Sequence, residues 1–213
     1  MQPGRWQLPE GAQGLAEFGH RTYVGGKWDT MGQLQFDFLV GQGLRPDHYL
    51  LDIACGSLRA GRLLIPYLDA GHYLGLDKEE ALISAGLANE LDRKVVEEKK
   101  PQFVVSASFE FRRFEAFPDF ALAQSLFTHL PPGMITTCLA NLREVIAADG
   151  VFFATIFEIE QERRKPRSSH DHAVFRYTLA QMASLGEATG WAMDYIGDWG
   201  HPKGQRMLRY RPV

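Results

Sequence analysis

The sequence predicts an α/β fold with a doubly wound, mostly parallel seven-stranded sheet whose last strand is antiparallel. Short apolar segments alternate along the chain with amphipathic segments of helical periodicity, and this alternation is typical of parallel sheets with right-handed crossovers. The last two strand segments break the alternation, because the short connection between them, with glycine and proline among residues 197–204, has no helical pattern. We therefore expect the last two strands to pair as an antiparallel hairpin.

The individual elements follow from apolar runs and turn signals. The runs predict strands over residues 48–54, 73–77, 103–105, 120–124, 151–157, 191–196 and 206–210. Helical periodicity predicts helices over about residues 29–42, 60–68, 79–100, 134–147 and 178–188. Residues 1–28 lack sustained periodicity, so we predict an irregular N-terminal arm with at most one short helix. One domain would then occupy residues 29–213.

Composition and charge narrow the class of protein. Twenty-three Lys and Arg residues against 26 Asp and Glu residues give a formal net charge of −3, which is too balanced for a general nucleic-acid binder. The longest apolar runs, such as residues 151–157, are far shorter than the roughly 20 residues of a membrane-spanning helix. The N-terminal residues lack the pattern of a secretion signal, and two cysteines make no disulfide framework. We expect a cytoplasmic protein that binds neither nucleic acid nor membrane.

Acidic residues end the first two predicted strands. Asp52 stands just before the turn that contains Gly56, and Asp77 follows 21 residues after that glycine. In open α/β sheets ligands bind beyond the carboxyl ends of the strands, where glycine permits close approach and a carboxylate can accept hydrogen bonds from ribose hydroxyls. The pattern therefore predicts a site for a nucleoside-containing ligand.

The local charge favours one kind of nucleoside cofactor over another. A pyrophosphate needs a glycine-rich turn with bare N–H groups, but this turn lacks the third glycine of that fingerprint and follows the carboxylate of Asp52. S-adenosylmethionine instead carries an ammonium and a sulfonium group, which a carboxylate favours. We therefore prefer S-adenosylmethionine. A nicotinamide-dependent oxidoreductase and a non-catalytic cofactor-binding protein stay open as alternatives.

Several segments resemble class I S-adenosylmethionine-dependent methyltransferases. The segment LLDIACGSLRAG is similar to the first motif of that family, GLDKEE to its second-strand acidic motif, and DFALAQSLFTHLPP to the segment around its fourth strand. The resemblance covers about residues 30–213, and VGGKW, GSLRAG, SLFTHLP and GDWGHPKGQ are similar to a bacterial subgroup of uncertain substrate. Ala54 and Leu58 stand where the common motif has glycine. The resemblance implies the Rossmann-like methyltransferase fold, S-adenosylmethionine as cofactor, and methyl transfer to an acceptor.

The same resemblance implies which residues contact the methionine and ribose parts of the cofactor. By position, the methionine part would be lined by Asp52, Cys55, Gly56 and Ser57. Asp77 at the end of the second strand would hold the ribose.

Five further residues match family positions around the adenine and the amino group of the cofactor. Lys78 would border the adenine, and Ser108 with Phe109 would meet the adenine amine after the third strand. Gln124 and Ser125 follow the fourth strand, where the family contacts the amino group of the cofactor.

Four residues are candidates for acid–base work on the acceptor: His129, Glu158, Tyr177 and His201. A base is needed only if the acceptor carries a proton at neutral pH, and histidine suits that role because its reference pKa is about 6.5. Each candidate also has a structural alternative. His129 could cap a helix, Glu158 could be solvated, Tyr177 could pack, and His201 could make a hydrogen bond within a tight turn.

The segment over residues 161–177 is a candidate lid. Its cationic residues would pair with an anionic acceptor, and they are Arg163, Arg164, Lys165, Arg167 and Arg176. The alternative is a solvated loop. His170, Asp171 and His172 are too weak a pattern for a metal site, and we expect no metal.

The acceptor and the cover of the cofactor are predicted in outline. No appended domain would grip a macromolecule, so we expect a small-molecule acceptor, anionic or carbohydrate-type. Tyr23 and Trp28 could fold across the cofactor, with core packing as the alternative.

Overall fold

A computed structural model describes residues 8–162, 168–172 and 174–213. Its seven strands are β1 (Leu50–Ile53), β2 (Tyr73–Asp77), β3 (Gln102–Val105), β4 (Phe120–Ala123), β5 (Val151–Ile156), β6 (Trp191–Asp198) and β7 (Arg206–Pro212). They form one sheet in the order β3-β2-β1-β4-β5-β7-β6. The strands β1 to β5 pair in parallel, and β7 pairs antiparallel with both β5 and β6. The predicted fold class is confirmed, including the reversed last strand.

The sheet places the ends of its central strands side by side. Asp52 of β1 lies opposite Gly75 of β2 and Leu122 of β4. All four residues of β1 and of β4 are buried, which explains why both read as continuous apolar runs in the sequence. Strand order reverses at β1, where β2 lies on one side and β4 on the other. Parallel sheets bind ligands at such a point, beyond the carboxyl ends of the strands.

Eight α-helices lie within the described ranges. They are α1 (Gly11–Phe18), α2 (His20–Tyr23), α3 (Trp28–Gly41), α4 (Gly61–Tyr67), α5 (Glu80–Asn89), α6 (Arg93–Lys99), α7 (Pro132–Arg143) and α8 (Leu179–Glu187). None of these helices combines the length and apolar character needed to span a bilayer.

Two apolar clusters cover the two faces of the sheet. Leu51 and Ile53 of β1 pack in one cluster with residues of α7 and α8. Leu50 packs in the other cluster with residues of α3, α4 and α5. Alternate residues of a strand point to opposite faces, so one short strand contributes to both layers. The helices are therefore distributed on both faces, as in a doubly wound sheet.

Two helix predictions are wrong. The helix predicted over residues 79–100 is two helices, because the Asp92 side chain accepts a hydrogen bond from Lys94 N at 2.7 Å and starts α6 as a new helix. The arm over residues 1–28 contains both α1 and α2, not one helix at most. Gly11 and Gly14 hide the periodicity of α1, which tertiary contacts hold: Gly11 N donates to the Tyr23 hydroxyl at 2.7 Å. The division into an arm and a domain over residues 29–213 stays a prediction.

Candidate functional site

A cavity of about 960 Å³ lies beyond the carboxyl ends of β1, β2 and β4. The arm, the residues after β5 and the turn between β6 and β7 complete its wall. The predicted site residues in its lining are Asp52, Cys55, Gly56, Asp77, Lys78, Phe109, Gln124, Ser125, His129 and His201. The structure thus brings together residues from several strand ends that are far apart in the chain.

Two buried carboxylates form an acidic end of this cavity. Asp77 accepts hydrogen bonds from Gly56 N at 2.8 Å and from Glu79 N at 2.9 Å. Asp52 accepts one from the Tyr73 hydroxyl at 2.8 Å. Burial raises the pKa of Asp77, and it raises the pKa of Asp52 to about 6. Neither carboxylate forms a salt bridge within the described residues, so a cationic ligand would offset the desolvation of both.

The loop after β1 has a glycine-like backbone conformation at two positions that are not glycine. Ala54 and Leu58, the two departures from the family motif, have positive φ angles of 61° and 64°. A side chain in this left-handed region is strained by about 1–2 kcal/mol. Six non-glycine residues in the described part have positive φ, and those that also line the cavity are Lys27, Ala54, Phe109 and Ser125. Such clustering of strain is characteristic of functional sites.

Three N–H groups of this loop are already used inside the protein. Gly56 N donates to Asp77, and Cys55 N donates to Leu76 O at 3.0 Å. Leu58 N donates to Cys55 O at 3.1 Å. A pyrophosphate site requires such donors to point at the ligand. The geometry therefore favours a cationic ligand over a dinucleotide at this turn.

Arg59 joins the arm to the end of β4. Its Nη1 atom donates to Val24 O at 3.0 Å and to Gly26 O at 3.3 Å, and its Nη2 atom donates to Gln124 Oε1 at 2.7 Å. Burial lowers the pKa of Arg59 to about 10. We did not predict this residue as part of the site, although it stands within the segment GSLRAG on which the resemblance depends.

A buried polar network fixes the start of the segment after β4. Ser125 N donates to Thr155 Oγ1 at 2.7 Å, and Thr155 Oγ1 donates to Gln205 Oε1 at 2.7 Å. Gln205 Nε2 donates to Ser125 Oγ at 2.8 Å. These bonds hold Ser125 in its left-handed conformation at the cavity wall. No pattern in the sequence points to Thr155 or Gln205, because both act through contacts between segments that are far apart in the chain.

His201 lies at the cavity wall in a state that does not suit a general base. Its Nδ1 atom accepts from Lys203 N at 3.2 Å and from Gln205 N at 3.4 Å. Burial, followed by the charges of Arg59, Lys203 and Lys27, lowers the pKa of His201 to about 4. The ring is therefore neutral at neutral pH and its Nδ1 lone pair faces the turn. The geometry favours the structural alternative for His201.

His129 is the other histidine among the predicted catalytic residues that reaches the cavity. It ends a 3₁₀ turn, Phe127–His129, between β4 and α7. Thr128 in the same turn donates to Ser125 O at 2.5 Å. This turn fixes the position of His129 relative to the end of β4.

Four of the predicted site residues do not line the cavity. Two of them, Ser57 and Ser108, are polar residues of loops. Ser57 is fully buried, and its hydroxyl donates to His20 O at 3.0 Å beneath α2. Ser108 is exposed. Ser106 lines the wall in its place, and its Oγ accepts from Ser108 N at 3.2 Å. Ser57 and Ser108 therefore lie outside the cavity lining, and their roles towards a cofactor stay predictions.

The other two predicted residues outside the cavity lining, Tyr177 and Glu158, are candidate catalytic residues. Tyr177 is fully buried in the core, where its hydroxyl donates to Leu130 O at 2.5 Å and burial raises its pKa. Glu158 accepts from the Tyr195 hydroxyl at 2.5 Å on the side of β6. Glu158 and Tyr177 form a single β-bridge, and neither residue lines the cavity. Packing, which we gave as the alternative for Tyr177, is what the structure has.

Part of the predicted lid packs on the arm over the cavity. Asp171 accepts from the Tyr23 hydroxyl and forms an ion pair with Lys78 Nζ at 2.6 Å. Asp171 N donates to Glu10 Oε2 at 2.8 Å, and the rings of Tyr23 and His172 meet edge to face at 5.5 Å. The arm and residues 168–172 therefore form one cover.

The other residues predicted for the lid and the cover lie in different places. Arg176 lines the cavity with its guanidinium 5.2 Å from the centre of the Phe157 ring. Trp28 is buried in α3, where its Nε1 donates to Glu90 Oε2 at 3.0 Å. Trp28 therefore packs within the protein, whereas Tyr23 belongs to the cover of the cavity. Four cationic residues of the predicted lid, Arg163, Arg164, Lys165 and Arg167, lie outside the described residues. Among the described ones, no three His, Cys, Asp or Glu side chains are grouped as metal ligands.

Solved structures with a similar fold are methyltransferases. No protein-family model matches the sequence. Magnesium protoporphyrin IX methyltransferase of Synechocystis PCC 6803 with bound S-adenosylhomocysteine is 13% identical, with 95% of each chain covered and a TM-score of 0.63. A TehB-like S-adenosylmethionine-dependent methyltransferase of Corynebacterium glutamicum is 16% identical, with 94% of each chain covered and a TM-score of 0.60.

A third similar structure holds the methyl donor itself. A glycopeptide N-methyltransferase complexed with S-adenosylmethionine is 13% identical over 85% of this chain and 94% of that chain, with a TM-score of 0.63. These similarities establish the class of fold. The chain has the Rossmann-like fold of S-adenosylmethionine-dependent methyltransferases, as predicted.

Proposed function

We propose that this protein is an S-adenosylmethionine-dependent methyltransferase that acts on a small-molecule acceptor. The observation that carries the proposal is the pair of buried carboxylates, Asp52 and Asp77, in one cavity at adjacent strand ends. The cavity has a volume of about 960 Å³, at the upper end of the range for small-molecule sites, and this leaves room for an acceptor beside a nucleoside. Similar folds that contain S-adenosylmethionine or its demethylated product support the same reading.

The residues at the acidic end fit the chemistry of this cofactor. Asp77 would accept hydrogen bonds from the ribose hydroxyls, since each oxygen of a carboxylate can accept a second bond beside those from Gly56 N and Glu79 N. Asp52 would face the cationic methionine part. Phe109 and Ser106 would border the adenine. When bound, the cofactor supplies an electrophilic methyl group.

The protein contributes alignment and exclusion of water. The cover formed by the arm and residues 168–172 closes over the cavity through Tyr23, Asp171 and Lys78. Holding two reactants in line can supply on the order of 7–11 kcal/mol of the barrier in favourable cases. His129 is the residue we propose to take a proton from an acceptor that carries one, because the pKa and hydrogen bonds of His201 do not suit that task.

Calorimetric titration of S-adenosylmethionine and S-adenosylhomocysteine tests the proposal. We expect Asp77→Ala to weaken binding by about 1–3 kcal/mol, the typical effect of losing hydrogen bonds to a charged group. Asp77→Asn, which keeps an acceptor for Gly56 N, separates loss of charge from collapse of the loop. Asp47→Ala removes an exposed carboxylate away from the cavity and serves as the matched control.

Two outcomes would replace the proposal by one of its alternatives. Tight binding of NADH with no binding of S-adenosylmethionine would indicate an oxidoreductase. Binding of S-adenosylmethionine without methylated product from a broad panel of organic acids, phosphates and sugars would indicate a non-catalytic binding protein.

A further inference from the structure

Three cationic residues line the cavity where the arm, the loop after β1 and the turn between β6 and β7 form its wall. Arg59 holds the carbonyls of Val24 and Gly26 in the arm. Lys203, in the turn between β6 and β7, places its Nζ 3.9 Å from the position that a Cβ on Gly25 would take. Lys27 follows the same arm turn, and all three cations line the cavity. We name Lys27, Arg59 and Lys203 the cationic end.

The cationic end lacks partners of opposite charge. No salt bridge joins any of its residues to a carboxylate in the described part of the chain, whereas Lys78, which follows Asp77, pairs with Asp171. The hydrogen bonds of Arg59 go to neutral oxygens, and its Nε atom is buried without a partner. Asp52 acts on Arg59 through its charge and not through a hydrogen bond. A half-buried guanidinium flanked by two lysines is stabilised by an anion.

Lys203 and Asp77, which we propose to hold the nucleoside, stand at different positions in the sheet. Asp77 ends β2, while Lys203 precedes β7, four strands further along the sheet. Arg59 follows β1, the strand beside β2, and the charge of Asp52 acts on it. The side chain of Gln124, at the end of β4, contacts both Arg59 and His201.

We propose that Lys27, Arg59 and Lys203 form a binding site for the carboxylate or phosphate group of the methyl acceptor. The inference rests on the proposed methyltransferase function and names the class of acceptor, an organic acid or a phosphate ester. Arg59 supplies the buried charge and is held by the arm. Lys27 and Lys203 reach the anion from two exposed turns at the cavity mouth.

Benzoate and inorganic phosphate are the probes that test this site. Each is titrated separately into the complex with S-adenosylhomocysteine at constant ionic strength, and binding is followed by calorimetry. We expect Lys27→Ala/Lys203→Ala to weaken binding of the preferred probe at least about tenfold, the effect of losing charge-assisted hydrogen bonds. Lys27→Arg/Lys203→Arg should restore most of it. The matched control, Arg93→Ala/Lys94→Ala, removes the same charge from the exposed face of α6 and should leave it unchanged.

The possible outcomes separate this inference from the proposed function. Equal binding of both probes to the wild type and to Lys27→Ala/Lys203→Ala, or no binding to the wild type, overturns the inference. A tenfold loss of S-adenosylhomocysteine affinity in that variant overturns it too, since the cations would then bind the carboxylate of the cofactor. If the wild type binds no S-adenosylhomocysteine, the proposed function fails, and the same titrations on the ligand-free protein still decide whether the anion site exists.

Discussion

The two ends of the cavity differ in how the chain builds them. The acidic end comes from β1, β2 and the turns after them, so Asp52 and Asp77 lie within 26 consecutive residues. The cationic end draws Lys27 from the arm, Arg59 from the loop after β1 and Lys203 from the last hairpin. Adjacent parallel strands must place their carboxyl ends together, which makes the acidic end a consequence of local order along the chain. The cationic end exists only because the whole sheet is assembled.

The two ends also differ in the hydrogen bonds that the protein itself supplies to their charged groups. The carboxylates of the acidic end accept hydrogen bonds from Gly56 N, Glu79 N and the Tyr73 hydroxyl. At the cationic end, the described residues offer neutral oxygens to Arg59 alone. This contrast suggests that the acidic end is preorganised, whereas the cationic end is completed by its ligand.

The largest effect that we predict concerns the buried negative charge of Asp52 at the acidic end. Burial raises the pKa of Asp52 to about 6, so its stabilising contribution is present below pH 4 and is lost as the pH rises through 6. Asp52→Asn keeps the acceptor for Tyr73 and removes this charge. We therefore expect the variant to be more stable at pH 7.5 by about 3 kcal/mol, and to bind S-adenosylmethionine more weakly.

Urea unfolding at pH 7.5 and at pH 3.5 measures this difference. The gain should disappear at the lower pH, where Asp52 is protonated in both the folded and the unfolded protein. Asp149→Asn, at an exposed carboxylate outside the cavity, is the control. Equal stability of Asp52→Asn and the wild type at pH 7.5 would show that the acidic end stores no such energy.

The next prediction concerns the titration of His201 at the cationic end. Its pKa is lowered to about 4, by burial first and then by Arg59, Lys203 and Lys27. In Lys27→Ala/Lys203→Ala we expect the pKa to rise but to stay below 6.5, because burial remains. NMR titration of the imidazole measures both values. Equal pKa values of His201 in the wild type and the variant would mean that the two lysines do not act on this ring.

The same shift predicts the acid sensitivity of the fold. A histidine whose pKa is lowered in the folded protein loses stability as the pH falls from 6.5 towards 4, since the unfolded chain binds the proton first. His201→Gln should therefore lose less stability than the wild type over this range. Binding of benzoate or phosphate at the cationic end should raise the pKa of His201, which provides a second measurement of the proposed anion site.

The smallest predicted effect concerns the backbone of the acidic end. Ala54 has a φ of 61°, which glycine adopts without strain. We expect Ala54→Gly to raise the free energy of unfolding by up to about 1 kcal/mol, since relief of strain exceeds the added entropy of the unfolded chain. Thermal unfolding measures it. A loss of stability would show that the alanine methyl group packs against the cavity wall more strongly than the backbone resists it.

Particular elements show how much of the secondary structure the sequence predicts. All seven strands and the antiparallel hairpin were predicted, because buried apolar runs and glycine-containing turns are signals carried by neighbouring residues. The helix over residues 79–100 was not, because the capping side chain of Asp92 outweighs the continuous periodicity. The arm was underestimated, since α1 depends on contacts with Tyr23 and not on its own propensity.

The site divides along the same line. Residues at or just after strand ends, such as Asp52, Asp77 and Gln124, line the cavity, and their roles towards a cofactor stay predictions. Ser57 and Tyr177 do not line it, because hydrogen bonds to His20 and Leu130 direct their hydroxyls into the protein. Arg59 and Gln205 were missed, because their partners lie in other segments.

By itself the sequence determined the class of fold and the acidic end of its cavity, because strand order and turn chemistry are written in adjacent residues. Tertiary structure alone decided which side chains face the cavity, how the arm covers it, and that Lys27, Arg59 and Lys203 meet at one end. The physical reason is that burial and charge act through space. The pKa values of Asp52 and His201 therefore depend on neighbours that the order of residues does not reveal.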